Sequence, residues 1–128
     1  MSALLDQTKI LIQKCIDKDD YEQNNLKIYK ILKNMSVDDR KQLFDLAENN
    51  FEAQSSGYYA TILGNLSKLS YDKVLAKTWY LRGAMNEDAP AMVCFGKLHD
   101  VDNESIKWIE RAANMGLGGT DSLQIMIC

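Results

Sequence analysis

The chain holds one proline and one histidine among its 128 residues. With a single proline there is little to interrupt helices. The one histidine, His99, gives any triad or metal site only one ring to use, and it follows Leu98 near an expected helix end, where a polar or positive residue suits the dipole. Cysteine is scarce and scattered: Cys15, Cys94 and Cys128 form no C-x-x-C pair and no Cys/His pair. Neither zinc nor a redox motif is indicated. Free thiols are expected at all three positions, which fits a reducing cytoplasm. No metal and no cofactor is expected.

Long apolar runs are absent too. None approaches the roughly 20 residues that cross a bilayer. The first residues, Met1 to Asp6, lack a basic region followed by an apolar core, so no secretory leader is expected. Cys128 stands last, so it is not expected to be the cysteine of a prenylation box. The formal charge is −3 with a pI near 5.1. That balance argues against nucleic acid, which asks for a clustered basic face. Lys27, Lys30 and Lys33 share a helix face, but acids surround them and a solvated face is the expected reading.

What is present is helical periodicity. At 46% hydrophobic and 26% charged residues the composition is that of a globular chain, long enough to bury roughly two-thirds of its unfolded surface. Apolar residues recur at helical spacing over 3–17 (Leu4, Leu5, Leu11, Ile12, Cys15, Ile16), over 21–35 and over 37–54. Further helices are expected over 58–68, 71–86, from Asp88-Ala89-Pro90 to about His99, over 103–115 and from Thr120 to Cys128. Ser36, Ser70 and Asp102 are the expected caps of the helices they precede, and Gly116 is placed to end one. Asp19-Asp20 and Asp38-Asp39 read as helix-start acids rather than metal ligands. Gly116-Leu117-Gly118-Gly119 lacks the preceding strand and the Lys-Ser/Thr of a phosphate loop, and reads as a cap and linker. Short connections make stacked helix hairpins.

The sequence also repeats itself. Trp79-Tyr80-Leu81-Arg82-Gly83-Ala84 returns 29 residues later as Trp108-Ile109-Glu110-Arg111-Ala112-Ala113, and Ile62-Leu63-Gly64 returns 32 residues later as Cys94-Phe95-Gly96. Self-similarity at this period marks a helical repeat array. Ala76, Trp79, Tyr80 and Gly83 make a stripe of two large residues between two small ones, matched by Ser105, Trp108, Ile109 and Ala112. Gly64 and Gly96 each cost a helix up to about 1 kcal/mol, so both are expected to mark close backbone contacts.

This pattern resembles the Sel1-like repeat, a relative of the tetratricopeptide repeats. The matching positions are Leu63, Gly64, Ala76, Trp79, Tyr80 and Ala84 in one unit, and Phe95, Gly96, Trp108, Ala112, Ala113 and Gly116 in the next. A fainter third copy lies at Leu43-Phe44-Asp45-Leu46-Ala47. Two departures stand out. The Gly-rich loop between paired helices is replaced by Ser67-Lys68-Leu69-Ser70 and Asp100-Val101-Asp102, and Glu87 stands where the first unit should have glycine.

The expected architecture is all-α: a short right-handed α-solenoid of stacked antiparallel helix pairs, about eight helices in a single domain, 1–128. Degenerate helices fill 1–57, two Sel1-like units fill 58–116, and 117–128 forms a C-terminal capping helix. The resemblance implies a non-catalytic adaptor or scaffold that binds a partner protein's peptide or helix in the groove, and a place in signalling, quality control or host–microbe contact. Usage rich in Lys, Asn, Ile and Asp adds an intracellular microbe or a large virus, with the host cytosol as one setting. Tyr58, Asn65, Lys68 and Lys97, beside the glycine-marked helices and off the apolar stripes, are the expected binding residues. The alternative is a homo-oligomer, such as a homodimer, joined through the apolar Leu123, Ile125, Met126, Ile127 and Cys128.

Overall fold

A computed structural model of the chain describes residues 3–54, 56–98 and 103–115. Seven helices account for almost all of them: α1 (Ala3–Ile16), α2 (Tyr21–Asn34), α3 (Val37–Gln54), α4 (Gly57–Leu69), α5 (Lys73–Met85), α6 (Ala89–Leu98) and α7 (Asn103–Asn114). Neighbours in sequence pack as pairs, α1 with α2, α3 with α4, α5 with α6 and α6 with α7, and the α4–α5 contact joins the two halves. The result is an all-α solenoid. The expected final helix, with Gly116, His99 and the Asp102 cap, lies outside the described residues.

Helices α3, α5 and α6 begin where a short polar side chain takes an orphan N–H. Ser36 Oγ accepts from the Asp39 amide at 3.1 Å, as its position implies. The cap of α5 is Asp72, not Ser70: Asp72 Oδ1 accepts from the Leu75 amide at 3.0 Å. Ser70 is used instead to close α4, and its own N–H donates to Leu66 and Ser67 carbonyls. Asp88 opens α6 by accepting from the Ala91 amide at 3.2 Å, with Pro90 in the first turn, where a missing N–H costs nothing.

Three helices end alike. Lys18, Tyr71 and Glu87 have φ of 59°, 61° and 63°, the left-handed conformation that favours glycine. At each, the residue's N–H bonds three residues back and the next N–H bonds five back: Lys18 to Cys15 and Asp19 to Lys14, Tyr71 to Lys68 and Asp72 to Ser67, Glu87 to Ala84 and Asp88 to Gly83. This is the Schellman closure. Glu87 therefore adopts a conformation that favours glycine.

The centre of the fold is α4, which touches α1, α2, α3, α5 and α6. Every residue from Gly57 to Ser67 is buried, not only the stripe of Tyr59, Ile62, Leu63 and Leu66. Its polar side chains can be enclosed because each is bonded. Thr61 Oγ1 donates to Asp88, Ser67 Oγ donates to the Leu63 carbonyl at 2.8 Å, and Asn65 accepts from Tyr80.

The repeated residues occupy equivalent places. A Cβ on Gly64 would lie 2.5 Å from Tyr80 Cδ1, and a Cβ on Gly96 would lie 2.7 Å from Ile109 Cγ1. Each glycine thus admits the residue that follows the tryptophan of the next helix. Arg82 lies over the Trp79 ring at 4.8 Å, and Arg111 over Trp108 at 5.6 Å. Leu63, Ala76, Trp79, Ala84, Phe95 and Ala112 are buried, Trp108 is half-buried and Ala113 is exposed. Phe44 and Phe51 meet Trp79 edge to face, as Phe95 meets Trp108.

Candidate functional site

The N-terminal ends of α2, α4 and α6 meet on one side of the molecule and frame a cleft of about 360 Å³. Cys15, Ile16 and Lys18 close it from the end of α1, Tyr21 and Glu22 from the start of α2, and Ser56, Gly57 and Tyr58 from the start of α4. The turn from Asn86 through Pro90 forms the opposite wall, and Met115 comes from beyond α7.

Local structure explains this convergence. The Schellman turns at Lys18 and Glu87 reverse the chain at two corners of the cleft. Gly57 removes the obstacle at a third: a Cβ there would lie 2.6 Å from Asp88 Cβ and 2.9 Å from the Gly83 carbonyl oxygen. Without a side chain at Gly57, the α5–α6 turn settles over the first turn of α4, and Asp88 reaches Thr61.

The Asp88 carboxylate is the chemical centre of the cleft. Its Oδ2 accepts from Thr61 Oγ1 at 2.5 Å and from the Ala91 amide at 3.2 Å. Asp88 keeps an edge on the cleft while protein encloses most of it. Burial pushes its carboxyl up to about 6, against the pull of the Thr61 and Ala91 bonds.

Two tyrosines and a thiol stand beside it. The Tyr21 and Tyr58 rings meet edge to face with centroids 5.9 Å apart. Tyr58 Oη donates to Asn25 Oδ1 at 2.6 Å, whereas the Tyr21 hydroxyl is buried with no hydrogen-bond partner. Burial, and then neighbouring charge that includes Asp88, holds both phenols well above the ordinary tyrosine range. Burial likewise pushes the Cys15 thiol up to about 11, and its Sγ donates to the Tyr21 carbonyl at 3.9 Å. A thiol so placed is a poor nucleophile. Cys15 is a free thiol, as expected at that position.

The four expected binding residues do not form one surface. Tyr58 is only 3% exposed and Asn65 only 6%, so neither lies on an outer face. The expectation treated α4 as a helix with one buried stripe, but packing on every side leaves it no free face. Lys68 is half-buried on α4, ten positions beyond Tyr58, a separation of about 15 Å along a helix. Burial, with the Lys97 charge nearby, holds the Lys68 ammonium below its usual range. Lys97 is exposed on α6. Only Tyr58 belongs to the cleft.

Sequence periodicity missed Asp88, Tyr21 and Cys15 as a group. Asp88 reads as a helix start and Cys15 as one more apolar position, and no linear spacing links 15, 21, 58 and 88. Among the described residues no cluster of three or more His, Cys, Asp or Glu side chains could hold a metal ion, and no helix is long and apolar enough to cross a membrane. Comparison with protein families, with curated proteins and with solved structures finds no match.

Proposed function

We propose that the protein is a non-catalytic adaptor of the Sel1-like kind, which binds a partner polypeptide in the cleft at the N-terminal ends of α2, α4 and α6. The observation that carries this reading is a preformed cleft of about 360 Å³, walled by separate helices and floored by tyrosines and a carboxylate. Concave sites with an apolar body and a few fixed polar groups suit recognition. Aromatic anchors in enclosed pockets supply much of the energy in such contacts. The repeat resemblance draws support from the matched glycine contacts of Gly64 and Gly96 and the matched arginine–tryptophan stacks. The unreactive thiol of Cys15 and the structural bonds of Asp88 support binding over catalysis.

The test is selection of peptides from a displayed random library, followed by mapping of the selected peptides by backbone amide shifts. Peptides that perturb Tyr21, Gly57 and Asp88 support the adaptor. Failure to select any peptide, together with a mass that rises with protein concentration, favours the homo-oligomer instead.

A further inference from the structure

The charge around the cleft is one-sided. Glu22, Glu87 and Asp88 line it, with Lys18 as the single lysine among the lining residues. Glu87 meets Arg111 at 3.4 Å, but both side chains are mostly exposed, so the pair does little to neutralise the rim. Asp88 contributes an oxygen that the fold does not use: both its hydrogen bonds fall on Oδ2, and Oδ1 takes none from the described residues. The Tyr21 hydroxyl, buried at the same site, also lacks a partner. A carboxylate oxygen free to accept thus stands in an acidic, tyrosine-lined cleft, beside a buried hydroxyl without a partner.

Complementarity decides between guests. The three helix N-termini alone would favour an anion. However, Asp88 already caps α6, and a second anion would face Glu22, Glu87 and Asp88 together. An ammonium or guanidinium brings several N–H donors and no acceptor. It would satisfy Oδ1, and its charge would offset the cost of an enclosed carboxylate. The volume accommodates an extended aliphatic stem, and Ile16, Ala89 and Met115 among the lining residues offer such a stem apolar surface.

We propose that this cleft receives the side chain of a lysine or arginine from the partner polypeptide, with Asp88 as the charge that it meets. The proposal rests on the adaptor reading and names the chemistry of that partner.

The experiment titrates the full chain with blocked glycine pentapeptides carrying lysine, arginine, norleucine or glutamate at the centre, read by backbone amide shifts. Saturable shifts at Tyr21, Gly57, Asp88 and Ala89 are expected with the lysine or arginine peptide and not with norleucine or glutamate. Asp88→Asn keeps the cap of α6 and is expected to weaken binding about tenfold or more, as loss of one member of an enclosed charge pair does. Glu22→Gln with Glu87→Gln leaves Asp88 in place. It is expected to weaken binding several-fold and to flatten its dependence on salt, which keeps the test valid if Asp88→Asn fails to fold. Equal shifts from norleucine, binding of glutamate instead, or no shift at the cleft from either cationic peptide overturns the proposal. Library peptides that bind this cleft without a basic residue would sink the lysine or arginine guest and leave the adaptor standing. Cationic peptides that bind when the library yields nothing would do the reverse.

Discussion

The Tyr80 hydroxyl donates to Asn65 Oδ1 at 2.5 Å across the α4–α5 interface, with both residues buried. The bond lets α4, the central helix, carry an amide on a face that α5 covers. Tyr80→Phe removes the donor and leaves the amide enclosed, which is expected to cost about 1–3 kcal/mol. Adding Asn65→Leu to Tyr80→Phe is expected to recover part of the loss, since no orphaned polar group remains. Urea unfolding of the single and double variants measures both, and a double variant as unstable as the sum of its singles would show that the bond is not the cause.

Gly64 sets how near that interface can be. Gly64→Ala drives a methyl into the buried Tyr80 ring, with an expected loss of about 1–3 kcal/mol from overpacking. Gly96→Ala meets Ile109 Cγ1 and, at 3.0 Å, the Ser105 carbonyl oxygen. The aliphatic chain can yield but the backbone oxygen cannot, so a loss of the same sign is expected. An exposed Gly-free position on α2, such as Lys30→Ala, serves as the control and should leave the unfolding midpoint nearly unchanged.

Tyr71 is 98% exposed and sits at φ 61°. Its side chain packs on nothing that would offset the left-handed strain, so Tyr71→Gly is expected to stabilise the protein by about 0.5–1 kcal/mol, the strain relieved exceeding the entropy that glycine adds to the unfolded chain. Thermal unfolding checks it, and a lower melting temperature would refute it. Glu87→Gly makes the same backbone gain at the rim of the cleft.

Asp88 makes stability depend on pH in an unusual direction for a carboxylate. Its native value is pushed up to about 6, while an unfolded aspartate titrates near 3.9. From about pH 4 to about pH 6 the native state holds more protons than the unfolded chain, so the contribution present below this window is lost as pH rises through it. Asp88→Asn retains an oxygen for Thr61 and Ala91 and removes the titration. Relative to wild type it is expected to gain up to about 3 kcal/mol between pH 4 and pH 7. Chemical unfolding of both proteins across that range reads the difference, and parallel curves would contradict it.

The helices were legible because each rests on local rules. The apolar spacing of Leu5, Leu11, Ile12 and Cys15 predicts α1, and Val37 to Gln54 follows the Ser36 cap as expected. The recurrence of Gly64 before Tyr80 and Gly96 before Ile109 marks two close contacts that the fold makes. Ser70 misled because a serine suits either end of a helix. The αL turn at Tyr71, which no glycine announces, moved the start of α5 to Lys73.

Sequence by itself determined the helical class, most helix boundaries and the paired glycine contacts, since these follow from period, capping and the absence of a Cβ. Only the tertiary structure decided that α4 is enclosed on every side, because polar residues such as Thr61 and Asn65 look solvent-facing until their partners arrive from other helices. It also decided the cleft. Cys15, Tyr21, Tyr58 and Asp88 lie far apart in the chain, and the helix ends that carry them meet only once the array has packed. Burial then sets the charge behaviour of Asp88 and Cys15, a property of the surroundings that the residue type does not carry.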